Sequence, residues 1–174
     1  FKILSPLSGE SVALSPESPQ NPGLVLTWQD MNYGTPMEVT YAVQVDVAGN
    51  EFANPMTVAT TTNTYISISS ATLNGAALGV GLAPFVQGGL EVRIMSTVGS
   101  DGMQAAYSDS ISYLVTAYST DLPKLYVIGN FLDVSGYGSD WTTATTLPAL
   151  SASAFGATDF EGYVFMNRAD AEYK

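Results

Sequence analysis

Apolar and polar residues alternate with a period of two over several short stretches of this chain. The longest such stretch runs from Val39 to Val47, where valine and tyrosine alternate with polar or small residues. A period of two places every second side chain on the same face of a β-strand. This stretch therefore predicts a strand with one face in a core and the other face, with Gln44 and Asp46, in solvent. Further stretches predict strands at residues 1–4, 24–28, 64–69, 90–98 and 111–115.

Residues 71–82 have a different period. Leu73, Ala76 and Ala77 recur at helical spacing, and Ser69 and Ser70 precede them as candidate N-caps. The three glycines of this segment lower its helix propensity. We therefore expect one or two turns of helix that cross from one strand to another.

Short strands joined by turn-rich segments, without a long helix, predict an all-β fold. The pattern is typical of an immunoglobulin-like or fibronectin type III-like sandwich over residues 1–118. Trp28 on the second strand, together with the absence of a cysteine pair, favours the fibronectin-like variant. Gly99-Ser100-Asp101-Gly102 is the expected turn of a hairpin. Residues 119–123, with a proline that cannot continue a ladder, are the expected linker.

Residues 124–174 predict the N-terminal part of a second β-sandwich. Residues 125–131 are apolar on both faces, which indicates a central strand covered on both sides. A polar loop at residues 133–146 carries Tyr137 and Trp141, and residues 162–167 predict the next strand. This module is short for a complete sandwich, so we expect it to be only the start of one.

Charge and composition exclude several classes of function. The net charge of −11 disfavours binding to nucleic acid or to anionic lipid. The chain has no cysteine and no histidine, which removes thiol chemistry, serine-triad chemistry and the commonest metal ligands. Neutral ligands such as sugars are not disfavoured by an acidic surface.

Carboxylates are the only acid–base groups left for catalysis. Asp133, Asp140, Asp159 and Glu161 all lie in the second module, but acids in polar loops are usually just solvated. No loop has the spacing of a calcium site, and no glycine-rich loop has the pattern of a phosphate cradle. We therefore predict no catalytic residue, no metal site and no cofactor.

Aromatic residues of the polar loop are the remaining candidates for a binding site. Proteins hold the apolar face of a sugar ring by stacking tryptophan or tyrosine against it, and keeping such a ring exposed has a solvation cost. Trp141, with Tyr137 nearby in sequence, has few apolar neighbours in the loop. The alternative is that Trp141 anchors the loop by folding back onto the sandwich.

The chain resembles the SusE/SusF group, surface lipoproteins of Bacteroidetes starch-utilisation systems. In the first domain the resemblance rests on the order and spacing of short segments: Leu4-Ser5-Pro6, Leu24-Val25-Leu26-Thr27-Trp28, Val39-Thr40-Tyr41-Ala42-Val43, Leu73-Asn74-Gly75-Ala76-Ala77-Leu78, Leu90-Glu91-Val92-Arg93-Ile94 and Thr116-Ala117-Tyr118. In the second module it rests on Leu125-Tyr126-Val127-Ile128-Gly129-Asn130-Phe131, the tryptophan after a polar loop, and Phe160-Glu161-Gly162-Tyr163-Val164-Phe165. One departure is Asp140, since the family usually has glycine before this tryptophan.

The resemblance implies a non-catalytic protein that binds starch-like polysaccharide or oligosaccharide. It implies a site on the cell surface at the outer membrane, an N-terminal lipid anchor that is absent from this chain, and contacts with other outer-membrane components of the same system. The Ig-like domain would be a spacer, and Trp141 and Tyr137 would contribute to the sugar site. Two alternatives stay open: an Ig-like protein-interaction module without sugar binding, and an accessory domain of an extracellular glycoside hydrolase.

Overall fold

The computed structural model describes residues 1–99, 103–143, 146–154 and 156–174. These residues form two compact units, Phe1–Ser119 and Thr120–Lys174, here called the N-terminal and C-terminal units. Within the described ranges, none of the helices has the length and apolar content needed to cross a membrane.

The N-terminal unit consists of two β-sheets and one helix. A three-stranded antiparallel sheet has the order β1-β3-β6, and a six-stranded sheet has the order β2-β9-β7-β4-β5, with β8 also paired to β7. Only β2 runs parallel to its neighbour, β9. The elements are β1 Ile3–Ser5, β2 Ser11–Ala13, β3 Pro22–Trp28, β4 Val39–Val47, β5 Met56–Thr61, β6 Tyr65–Ser69, α1 Ser70–Gly79, β7 Gln87–Val98, β8 Met103–Tyr107 and β9 Ile111–Thr116.

The two sheets enclose one hydrophobic core, which confirms the predicted all-β sandwich. Trp28 of the smaller sheet packs edge-on against Tyr41 of the larger one, with 5.4 Å between ring centroids. The alternating positions of β3, β4 and β7 supply half of the buried side chains of this core. These include Leu24, Leu26, Val43, Val45, Leu90, Val92 and Ile94.

Helix α1 is longer than the one or two turns predicted from its glycines. The Ser69 hydroxyl accepts a hydrogen bond from the Thr72 N–H at 3.2 Å, which makes Ser69 the N-cap. Leu73, Ala76 and Ala77 are buried in the core, as their spacing predicts. This burial stabilises ten helical residues despite weak local propensity, and the helix connects the smaller sheet to the larger one.

The outer face of β4 does not lie in solvent, so that part of the prediction is wrong. Gln44 and Asp46 are both buried. The Arg93 Nε atom donates a 2.9 Å hydrogen bond to the Gln44 side-chain oxygen from the opposite position on β7. The loop after β4 closes over Asp46, whose carboxylate accepts hydrogen bonds from Asn50 Nδ2 and from the Asn54 N–H. Arg93 of the same sheet and the loop after β4 thus cover Gln44 and Asp46 and exclude solvent from them.

Asp46 is expected to make the N-terminal unit sensitive to acid. Burial alone would raise the pKa of Asp46, but the hydrogen bonds from Asn50, Asn54 and Val47 and the charge of Arg93 outweigh it and hold the pKa below its usual value. Because the folded-state pKa is the lower one, this stabilisation is complete above the pKa of the unfolded chain, about 3.9. It is lost as the pH falls through the folded-state pKa.

Thermal unfolding followed by circular dichroism at several pH values checks this prediction. The Tm of the wild-type chain should fall more steeply below about pH 4 than the Tm of Asp46→Asn. Glu17→Gln, which changes an exposed carboxyl in the loop before β3, is the matched control and should keep the wild-type slope. Equal slopes for Asp46→Asn and the wild type would show that another group is responsible.

Three strands of this unit have no counterpart among the predicted ones. Strands β2 and β8 are short, and β5 has no strict alternation in Met56–Thr61. Each is defined by pairing with a strand that already has a place in the sheet, namely β9, β7 and β4. The predicted hairpin turn at residues 99–102 lies outside the described residues except for Gly99.

The C-terminal unit has a small antiparallel sheet with the order β10-β11-β12. Its strands are β10 Lys124–Tyr126, β11 Ala149–Ala152 and β12 Phe160–Glu161. A second hydrophobic cluster is centred on Val127, Phe131 and Leu132, all buried.

Both strands predicted for the C-terminal unit differ from the structure. Of the segment expected to be a central strand at residues 125–131, only Leu125 and Tyr126 lie in a strand, the edge strand β10, and both side chains are exposed. The continuation at residues 128–130 pairs with residues 172–174 instead. Residues 162–167 do not form a strand, because their amides bond to side chains: Phe165 N–H donates to Tyr137 Oη and Asn167 N–H to Ser135 Oγ.

Candidate functional site

Trp141 presents an exposed ring from a fixed position on the backbone. The side chain retains 44% of its accessible surface. Its own N–H donates a 3.0 Å hydrogen bond to the Gly129 carbonyl. The backbone at Trp141 has a φ of 57°, in the left-handed region that is uncommon for a residue with a large side chain. The surrounding structure therefore holds this ring outward at a conformational cost, and such strained positions cluster at functional sites.

The polar loop before Trp141 is closed by its own side chains. Asp140 accepts a 3.0 Å hydrogen bond from the Asp133 N–H, and the Thr142 hydroxyl donates to the Ser139 carbonyl at 2.7 Å. Asp140, the residue that departs from the usual glycine, thus closes the loop immediately before the tryptophan. The carboxylate has a structural role here.

Next to Trp141, the backbone of residues 128–130 is hydrogen-bonded to the backbone of residues 172–174. The Lys174 N–H donates to the Ile128 carbonyl at 2.9 Å, and Gly129 forms an antiparallel bridge with Tyr173. A Cβ atom at Gly129 would lie 2.1 Å from the Glu172 carbonyl oxygen, so only glycine allows this approach. The carbonyl that positions Trp141 is therefore itself fixed by a close contact.

Asn130 and Arg168 extend this support. The Asn130 side chain accepts from the Glu172 N–H and donates to the Asp170 carbonyl, while Arg168 Nη1 donates to the Asn130 carbonyl at 2.8 Å. The hydrogen bond and charge of Asp170 raise the pKa of Arg168, and Arg168 in turn lowers the pKa of Asp170. Both groups are thus charged at neutral pH, close to the paired segments.

Charge near the ring comes from Lys174. Its Nζ atom lies 5.8 Å from the centroid of the Trp141 ring, at the outer limit of a cation–π contact. An ammonium group beside an exposed indole supplies hydrogen-bond donors for a polar ligand. Lys174 is not among the site residues predicted from the sequence. No local pattern marks it, because the pairing of residues 128–130 with residues 172–174 brings it near the ring.

Tyr137, the second candidate from the sequence, has a different environment. Its ring packs edge-on against Phe131 at 6.2 Å, within the core cluster of the C-terminal unit. Its hydroxyl oxygen accepts a hydrogen bond from the Phe165 N–H at 3.3 Å. These contacts hold a half-buried side chain that supports the loop, whereas the ring of Trp141 is available to a ligand.

Several further aromatic side chains of the C-terminal unit are exposed. The alternation of exposed Tyr163 and Phe165 with less exposed Val164 and Met166 is a period-two signal visible in the sequence. Tyr173 is also exposed, and its bridge partner is the glycine whose carbonyl positions Trp141. Tyr173 is therefore an exposed aromatic whose backbone pairs with Gly129, the residue that accepts the hydrogen bond of the Trp141 N–H.

Two of the carboxylates considered for catalysis, Asp140 and Asp159, accept hydrogen bonds from neighbouring groups. Asp140 is engaged by the Asp133 amide, and Asp159 accepts a 2.9 Å hydrogen bond from the Ser153 hydroxyl. Across the described ranges, no three His, Cys, Asp or Glu side chains are placed to hold a metal ion. The chemistry that this unit offers is an apolar ring beside hydrogen-bonding groups, which suits binding.

The N-terminal unit has a cleft of about 740 Å³ formed by residues 30–39 together with Tyr41 and Thr62. The Tyr41 hydroxyl at its base donates to Asp30 and accepts from the Met31 N–H. Burial and the bond to Asp30 raise the pKa of Tyr41 to about 12, so this phenol stays protonated. The Tyr33 hydroxyl bonds to the carbonyls of Ser96 and Gln104, so the groups that define the cleft are engaged within the fold.

Comparison with known proteins gives one match. A family model described as SusE outer membrane protein matches residues 1–95. No curated protein and no solved structure matches the chain. The matched residues lie in the N-terminal unit and cover more than half of the chain, whereas Trp141 lies beyond them.

Proposed function

The chain belongs to the SusE outer membrane protein family, and from this membership we propose that it is a non-catalytic glycan-binding protein displayed on the cell surface. Membership makes it an outer membrane protein and a component of a Sus system. The proposal adds that it is held by an N-terminal lipid anchor, acts with other components of that system, and binds a starch-like polysaccharide or oligosaccharide. The N-terminal sandwich is then the spacer and the C-terminal unit the binder.

The observation that carries the proposal is the exposed ring of Trp141 on a fixed backbone. A ring that is ordered before binding loses little conformational entropy when a ligand stacks on it. The ring offers an apolar face to the C–H groups of a sugar, and Lys174 offers donors to its hydroxyls. The acidic surface does not oppose a neutral ligand.

Trp141→Ala is expected to weaken the binding of starch-type oligosaccharides at least about fivefold, since loss of a stacked ring typically removes about 1 kcal/mol or more. Isothermal titration of the whole chain measures this. Tyr163→Ala, which removes another exposed ring, is the matched control and should bind as the wild type does. The free energy of unfolding of Trp141→Ala should stay close to the wild-type value.

Fluorescence provides an independent test because the chain has only two tryptophans, Trp28 and Trp141. In Trp28→Phe the exposed Trp141 is the only indole, and its emission should shift to shorter wavelength as sugar is added. No heat and no shift with any glycan would contradict the proposal. Lost stability in Trp141→Ala, with binding retained, would instead identify Trp141 as an anchor of the loop.

A further inference from the structure

The outer face of the six-stranded sheet carries an arginine held between two aromatic rings. The Arg93 guanidinium carbon lies 4.1 Å from the centroid of Phe52 and 4.2 Å from that of Tyr107. Buried Gln44 accepts a hydrogen bond from its Nε atom at 2.9 Å. We call Arg93, Phe52, Tyr107 and Gln44 the arginine stack. Four elements, β4, the loop that follows it, β7 and β8, contribute to it.

The stack leaves the terminal nitrogens of the guanidinium unpaired. Among the described residues, no acceptor lies within hydrogen-bonding distance of Arg93 Nη1 or Nη2, and Arg93 has no ion pair within 4 Å. The nearby carboxylate of Asp46 is already engaged by Asn50 and by the Asn54 and Val47 amides. The stack therefore fixes the plane of a fork whose four terminal N–H donors have no partner among the described residues.

The backbone beside the stack is strained. Glu51 and Phe52 have φ values of 52° and 55°, two consecutive non-glycine residues in the left-handed region. Such a conformation is unfavourable for residues with a side chain and persists only where its surroundings demand it. Here it places the Phe52 ring against the guanidinium.

Charge makes the unpaired fork more unusual. Residues 1–119 contain nine Asp and Glu, and Lys2 is the only Lys or Arg besides Arg93. Arg93 is thus an isolated cation on an acidic unit, and Tyr107 beside it is half exposed. Arginine and tyrosine are among the residues that contribute most to protein–protein binding energy.

We propose that the arginine stack is the centre of a docking surface for another protein, which presents a carboxylate side chain next to an apolar residue. The carboxylate accepts two N–H bonds from the free edge of the guanidinium, and the apolar neighbour packs on Tyr107. A protein fits better than a sugar because both faces of the guanidinium are already covered, so only an edge contact remains. This docking is independent of glycan binding by the C-terminal unit.

Arginine side-chain NMR of the whole chain tests the proposal, since only Arg93 and Arg168 contribute signals. The probe is the capped peptide acetyl-Ala-Glu-Leu-amide, and acetyl-Ala-Gln-Leu-amide is its uncharged control. The Arg93 signals should shift saturably with the glutamate peptide, and the glutamine peptide should bind about tenfold more weakly or not at all. Arg168, which is paired with Asp170, should respond little.

Two variants make the test specific to the stack. Arg93→Lys keeps the charge but loses the planar fork, and Phe52→Leu keeps Arg93 but removes one stacking ring; each should weaken peptide binding about tenfold. Circular dichroism verifies that both are folded. Trp141→Ala should bind the peptide as the wild type does, so this proposal and glycan binding can fail separately.

Four results would overturn the proposal. They are the absence of a saturable shift at Arg93, an equal response of Arg168, unchanged affinity in Arg93→Lys, and tighter binding of glucuronate than of the glutamate peptide. The last result would assign the stack to an acidic sugar.

Discussion

Trp28→Ala is expected to lower the free energy of unfolding of the N-terminal unit by about 3–5 kcal/mol, the range for loss of a buried aromatic side chain. Trp28 is 3% exposed and packs against Tyr41 between the two sheets. Its removal leaves a cavity where the smaller sheet meets the larger one, and β3 cannot close that gap without moving away from β6. Urea unfolding followed by far-UV circular dichroism measures the loss.

Trp28→Phe separates the effect of the ring from the effect of its polar atom. Among the described residues, the indole Nε1 of Trp28 has no hydrogen-bond partner. Phenylalanine therefore sacrifices no hydrogen bond, and we expect a loss of only about 1–2 kcal/mol from reduced volume. If Trp28→Phe lowered the free energy of unfolding as much as Trp28→Ala does, the core would not be able to pack around a smaller ring, and the prediction would be wrong.

Gly129→Ala is expected to destabilise the C-terminal unit by about 3 kcal/mol or more, at the upper end of the range for overpacking. The new methyl group would lie 2.1 Å from the Glu172 carbonyl oxygen and 2.7 Å from the Phe131 ring. Backbone cannot yield as a flexible side chain can, so the pairing of residues 128–130 with 172–174 should open. Hydrogen exchange should show faster exchange of the Ile128, Asn130 and Lys174 amides.

The same variant links stability to the candidate site, because the Gly129 carbonyl accepts the Trp141 N–H. Glycan binding should be lost together with amide protection. Gly75→Ala is the control: no atom lies within 4 Å of its added methyl group, so this helical substitution should stabilise α1 by about 0.5–1 kcal/mol. Normal protection of the Lys174 amide in Gly129→Ala would contradict the steric argument.

Sequence patterns predict the N-terminal sandwich well because alternation records burial on one face of a strand. The run at β4 has the predicted bounds, Val39–Val47. The prediction failed for the outer face, where Gln44 and Asp46 are buried by Arg93 and by the loop after β4. The contact of Gln44 with Arg93 joins residues 49 positions apart, and the contacts of Asp46 depend on how the following loop folds back. A period-two pattern contains neither kind of contact.

The C-terminal unit was harder to predict for a related reason. Alternation in residues 162–167 is real, but a strand also needs a neighbour, and the amides of Phe165 and Asn167 bond to side chains instead. For the site, the sequence indicates an aromatic in a polar loop. Only the structure distinguishes the exposed ring of Trp141 from the packed ring of Tyr137.

The parallel pairing of β2 with β9 has a mechanical consequence. Along the chain, β2 lies near the beginning of the N-terminal unit and β9 near its end. In space they are neighbours, with Ser11, Val12 and Ala13 in register with Leu114, Val115 and Thr116. Tension on the chain pulls parallel terminal strands in opposite directions, so their hydrogen bonds resist by shear and must break together. Flanking bonds from the Gly9 N–H to Ser112 and from the Leu14 N–H to Thr116 lengthen this clamp. For the proposed role, in which a protein held by a lipid anchor binds a glycan, this arrangement adds resistance to stretching.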